Sequence, residues 1–162
     1  MPGEEKMHSR IFQISSKPID EKNYINEDRY YSHDTGFVGS VADYAVANNE
    51  PSDYEWLNSQ PGISVDLRNK TFKLVSKEDY FKASYMKFKE YLAEAEQMTF
   101  EDFICGRSIE TFVALANSFE NIYAIYVDDI DECNGLITLD DLVRNSEDGT
   151  VWHLGATINY HC

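Results

Sequence analysis

Five residues near the end of the chain, Trp152, Leu154, Ala156, Ile158 and Tyr160, fall at every second position. Only an extended strand has that period, so these side chains share one face and the residues between them share the other. A long strand with an apolar face needs partner strands and a covering layer, which commits the chain to a sheet-containing fold.

Partners are legible upstream. Ile63, Val65 and Leu67 alternate with polar residues, Arg68-Asn69-Lys70 reverses the chain, and Thr71 to Ser76 returns with Phe72 and Leu74 on the same buried face, a hairpin. Arg10 to Ser15 reads as a first strand, with Phe12 and Ile14 on one face. Ile122 to Val127 is apolar at both parities, as expected of a central strand.

Helices punctuate these strands. Behind Ser76 and the acids Glu78 and Asp79, residues Phe81, Tyr85, Phe88, Leu92 and Ala95 recur at helical spacing. Thr99 caps a short segment that Gly106 ends. Ser108 is expected to cap a helix burying Ile109, Phe112, Val113 and Ala116. Thr138 and Asp141 form a capping pair for a helix reaching Asn145. Two further short helices are predicted over 41–47 and 53–58, capped by Ser40 and Ser52. The polar segment 17–34 reads as a structured surface loop. The expected fold is α+β: a mostly antiparallel sheet packed by several helices, in one compact domain over residues 10–162 behind a flexible leader of residues 1–9.

A chain of 162 residues with 43% hydrophobic side chains can bury its own core without covalent help. Cys105, Cys133 and Cys162 lie far apart, an odd number with no CxxC pair, and read as reduced thiols. With no secretion signal at the start and no apolar run of membrane length, a cytoplasmic location and no membrane association are expected. The sequon Asn69-Lys70-Thr71 is then without consequence.

Charge is distributed unevenly. Of a net −15, residues 99–162 carry −10, with twelve acidic side chains against two basic ones. Such a field attracts basic partners and argues against direct nucleic-acid binding. The predicted partner-binding residues are Asp128, Asp129, Asp131, Glu132, Asp140, Asp141, Glu147 and Asp148, with Tyr30 and Tyr31 as aromatic anchors. On a strand, Asp129 and Asp131 would stand roughly 6.6 Å apart, near the phosphate spacing of one nucleic-acid strand. The partner expected on this basis is a basic protein, such as a nucleic-acid-binding enzyme inhibited by mimicry in the manner of anti-restriction or anti-CRISPR proteins.

Other chemistries find less support. Residues 129–141 approach a calcium-loop pattern, but setting Gly135 at the sixth position puts Ile130 at the first, where a carboxylate is required. His153 and His161 are too far apart along one strand to share a metal, and His8 and His33 have no ligand pair beside them. Cys105 precedes Arg107 and a helix start, an arrangement that can activate a thiol, yet Phe103 and Ile104 suggest partial burial. No Walker, dinucleotide-binding, GxSxG or HExxH pattern occurs. The sequence therefore predicts a non-enzymatic binding domain with no catalytic residues, cofactor or metal, and the alternatives are a small hydrolase or a degenerate calcium module.

Overall fold

The computed structural model describes residues 8–31, 35–119, 124–131 and 135–162. The expected α+β fold is what it shows. The strands are β1 (His8–Ser15), β2 (Tyr44–Ala47), β3 (Ile63–Asp66), β4 (Thr71–Leu74), β5 (Tyr126–Asp129), β6 (Gly135–Thr138) and β7 (Val151–His161). The helices are α1 (Asp28–Tyr31), α2 (Pro51–Asn58), α3 (Lys77–Glu96), α4 (Phe100–Ile104), α5 (Ile109–Asn117) and α6 (Leu139–Arg144), with a 3-10 turn at Glu21–Asn23.

All seven strands form one sheet, in the order β3-β4-β7-β1-β5-β6, with β2 also paired to β7. Every neighbouring pair is antiparallel except β1 and β5. The long β7 organises the rest. One of its edges pairs with β1, while the other is shared by β4 opposite Val151–His153 and β2 opposite Ile158–His161. Both faces of β7 are also covered. Ala156, Ile158 and Tyr160 are buried as the alternation predicts, but Thr157 and His161 on the opposite face are buried too.

On the face of Ile158 and Tyr160 the core gathers Ile11, Tyr30, Phe37 and Ala45, with the Phe37 ring meeting Tyr126 and Tyr160 edge-on at 5.0 Å. On the other face α2 lies against the strands. Tyr54 Oη donates to the Gly155 carbonyl at 2.6 Å, and the buried Asp53 accepts from Arg10 Nε at 2.5 Å and Asn48 Nδ2 at 2.6 Å. Gln13 is fully buried and holds the following loop to the sheet, donating to the Asn23 carbonyl and accepting from the Ile25 and Ala156 amides.

Several local expectations are corrected. Residues 41–47 do not form a helix: 44–47 are strand β2, because pairing with the edge of β7 satisfies their backbone groups and overrides the helical propensity of Ala45 and Ala47. Ser40 therefore caps nothing, and its hydroxyl bonds the Gly36 carbonyl. Helix α2 begins at Pro51 rather than after Ser52, with proline at its first position. Strand β1 reaches back to His8, so residues 8 and 9 are not part of a leader, and residues 1–7 lie outside the described residues. Of the predicted strand 122–127, residues 122 and 123 lie outside the described residues, and the strand runs from Tyr126 to Asp129 instead. β5 does lie in the interior of the sheet, between β1 and β6.

The contacts of the chain fall into two units, one comprising the described parts of Met1–Lys77 and Tyr123–Cys162, the other those of Glu78–Ile122. The first contains the sheet. The second contains almost all of α3, with α4 and α5. Thr99 accepts from the Asp102 amide while the Asp102 carboxylate accepts from the Thr99 amide, a complete capping box for α4, and Gly106 beyond its end has φ +68°. Among the described residues no helix is long and apolar enough to cross a membrane.

Candidate functional site

The predicted acidic site begins at β5, where successive side chains point to opposite faces. That alternation separates Asp128 from Asp129. Asp128 is fully buried, and its Oδ2 accepts from Arg29 Nε at 2.6 Å and from Tyr30 Oη at 2.9 Å, while Oδ1 accepts from Arg29 Nη2 at 3.1 Å. Burial, reinforced by the facing carboxylate, pushes the Tyr30 hydroxyl far above the ordinary tyrosine range. Asp128 and Tyr30 are thus a correction to the predicted surface: neither is exposed to a partner, because both are buried and bonded to each other, with Arg29 completing the cluster.

The remaining predicted residues lie nearer the surface. Asp129 is partly exposed and its Oδ1 accepts from the Asp131 amide at 3.1 Å, so residues 129–131 turn rather than extend. The Asp131 carboxylate accepts from the Ser15 hydroxyl. The strand spacing expected of Asp129 and Asp131 is therefore absent. Asp140 and Asp141 occupy the first turn of α6, where Thr138 accepts from the Asp141 amide and Asp141 pairs with Arg144 at 3.2 Å. Asp148 accepts from the amide of Lys77 at 2.8 Å, while Glu147 beside it is exposed. Glu132 lies outside the described residues. Tyr31 is 51% exposed, and its hydroxyl both donates to the Ala45 carbonyl and accepts from the Ala45 amide. Of the ten residues, the structure joins Asp128 to Tyr30 and Asp129 to Asp131. Several of the others serve turns and helix ends.

The histidines and cysteines are also placed. His8 is not isolated: its ring lies 4.9 Å from that of His161, which stacks on Tyr44 at 5.1 Å. Cys105 is exposed, not partly buried, since Phe103 and Ile104 face outward as well, and Arg107 pairs with Asp102 and Glu101. Burial raises the Cys162 thiol above its usual range, with Asp43 adding to the effect. His33 and Cys133 lie outside the described residues. Among the described residues no three His, Cys, Asp or Glu side chains converge to hold a metal ion.

What sequence reasoning missed is the destination of its apolar stripes. No residue of α3, α4 or α5 is buried. Phe100, Phe103 and Ile104 on α4 are 79%, 71% and 66% exposed, and Ile109, Phe112 and Val113 on α5 are 65%, 50% and 52% exposed. Six large apolar side chains on two successive short helices are thus at least half exposed. On α3, Phe81, Tyr85 and Met86 line a hollow of about 530 Å³ with Glu78 and Lys82 at its edge. The signal was the helical repeat itself, which identifies an apolar face but not what covers it. Comparison of the chain with protein families, with curated proteins and with solved structures finds no match.

Proposed function

We propose that the protein is a non-enzymatic binding domain for a basic protein partner, which meets the apolar faces of α4 and α5 and is steered there by the surrounding acids. The observation that carries this reading is the exposure of Phe100, Phe103, Ile104 and Ile109, each about two-thirds exposed or more. Glu101 and Glu110 are exposed on the same two helices. A second copy would bring like charges together on a chain of net −15, whereas lysines and arginines around an apolar patch would complement them.

A sharper version has the carboxylates imitate nucleic-acid phosphates and inhibit a nucleic-acid-binding enzyme, as anti-restriction or anti-CRISPR proteins do. It is supported by exposed Asp131, Glu147 and Asp148, and weakened by the loss of Asp128 and of the strand spacing.

Affinity capture separates the two, using wild type, a Phe103→Ser/Ile109→Ser variant and an Asp131→Asn/Glu147→Gln/Asp148→Asn variant. A basic protein held by wild type and lost by the apolar variant supports the first reading, and loss confined to the amide variant supports mimicry. A protein retained equally by all three would remove both.

A further inference from the structure

A second feature lies in the sheet-containing unit. The 3-10 turn, the start of α2 and the β3–β4 turn enclose a cleft of about 520 Å³, within the size range of small-molecule sites. Its polar groups are the Lys70 ammonium, the Tyr24 and Tyr54 hydroxyls and the Glu21 carboxylate; Pro51 and Leu67 supply apolar wall. Leu67, expected in the core beside Ile63 and Val65, is instead 49% exposed here.

Two observations mark the cleft as more than a surface fold. Among the described residues only two other than glycine have positive φ, Asn49 at 52° and Lys70 at 49°, and both line it. Lysine rarely adopts that conformation, and backbone strain of this kind concentrates at ligand sites. Secondly, the Lys70 ammonium already holds a carboxylate. It donates to Tyr24 Oη and to Glu21 Oε1, each at 3.0 Å, and lies 5.5 Å from the centre of the Tyr24 ring. Those bonds, to Tyr24 first and Glu21 second, raise its pKa above the usual lysine range and keep it charged.

Glu21 is weakly tethered. Its side chain is 78% exposed and sits on a turn of only three residues, and exposed ion pairs of this kind are worth little. Another carboxylate can take its place while an attached apolar group rests against Leu67, Pro51 and the tyrosine rings.

We propose that this cleft binds a small organic carboxylate with an apolar body, its acid group displacing Glu21 from Lys70.

The test is amide chemical-shift mapping of the full chain titrated with phenylacetate, indole-3-acetate and hexanoate, with phenylacetamide as the uncharged counterpart of the first. At least one acid is expected to shift Tyr24, Asn49, Tyr54 and Lys70 together, with phenylacetamide about tenfold weaker than phenylacetate if phenylacetate is the acid that binds. Glu21→Gln is expected to tighten binding several-fold. Lys70→Asn keeps a residue that tolerates positive φ, so its spectrum should stay folded while binding is lost. Cleft amides unmoved by all three acids in both wild type and Glu21→Gln would overturn the proposal. So would a folded Lys70→Asn variant that binds as wild type does, or phenylacetamide binding as tightly as phenylacetate.

Discussion

Arg29 grips Asp128 with one edge of its guanidinium, Nε at 2.6 Å from one carboxylate oxygen and Nη2 at 3.1 Å from the other, across 99 residues of chain. The pair fastens α1 over the core cluster of Tyr30, Phe37 and Tyr160, with Tyr30 Oη as a third donor to the same carboxylate. The carboxylate is fully buried while the arginine is about one-third exposed, so the two partners are not equivalent.

Arg29→Met leaves a buried charge with only Tyr30 to compensate it, and should cost about 3–5 kcal/mol in urea unfolding. Asp128→Asn leaves a cation that can turn toward water, and should cost less. The double variant Arg29→Met/Asp128→Leu should recover much of the loss. A double-mutant cycle with no coupling between the sites would contradict this account.

Gly155 has no room for a side chain. A Cβ there would lie 2.6 Å from Gln13 Oε1 and 2.9 Å from Gln13 Cδ. The Gln13 amide cannot swing aside without giving up its bonds to Asn23, Ile25 and Ala156. Gly155→Ala should therefore destabilise by about 1–3 kcal/mol, seen as a lower Tm by calorimetry, although alanine is ordinarily the safer strand residue.

Alkaline pH should reveal the buried tyrosines. Burial raises Tyr54 to about 12, and it also raises Tyr160 and Tyr30 beyond the ordinary range. A folded-state pKa above the unfolded value means stability that is intact below the ordinary tyrosine pKa and lost as pH climbs through the raised one. Phenolate absorbance should thus rise in two stages: exposed tyrosines first, then the buried set together with unfolding. A single stage that leaves the circular dichroism unchanged would count against the buried hydroxyls.

His161 is nearly buried between the rings of His8 and Tyr44, and neither of its nitrogens has a hydrogen-bond partner among the described residues. A phenyl ring keeps the stacking and removes two polar atoms without a hydrogen bond, giving up only the 3.9 Å approach of Nδ1 to Asp43. His161→Phe should unfold within about 1 kcal/mol of wild type or above it, whereas His161→Ala should lose about 2 kcal/mol through the cavity it leaves. Denaturant midpoints for the two variants decide the point.

The legibility of these features follows the range of the forces behind them. The cap of α4 at Thr99 and that of α6 at Thr138 depend on residues three apart, and both stood in the sequence. The hairpin of β3 and β4 was readable for the same reason, although its turn takes in Leu67 as well as residues 68–70. Strand β2 was not, because Tyr44–Ala47 takes its conformation from the edge of β7 more than a hundred residues away. Strand β6 passed unnoticed because four residues are too few to establish a period. Among the acids, a cluster in sequence became several separate roles in space. Asp128 turned inward to Arg29, Asp148 took the Lys77 amide, and Asp141 took Arg144.

The amino-acid order by itself determined that this chain forms a sheet with helices, that β7 is its backbone, and that the final third carries a large excess of negative charge. Periodicity, capping and charge are sums over near neighbours, and they survive without coordinates. Only the tertiary structure decided which carboxylate is buried, which apolar stripe remains open to solvent, and that Glu21, Tyr24, Tyr54 and Lys70 share one cleft. Those outcomes depend on which distant segments meet, and a one-dimensional pattern records that a surface is apolar or charged without recording what will lie against it.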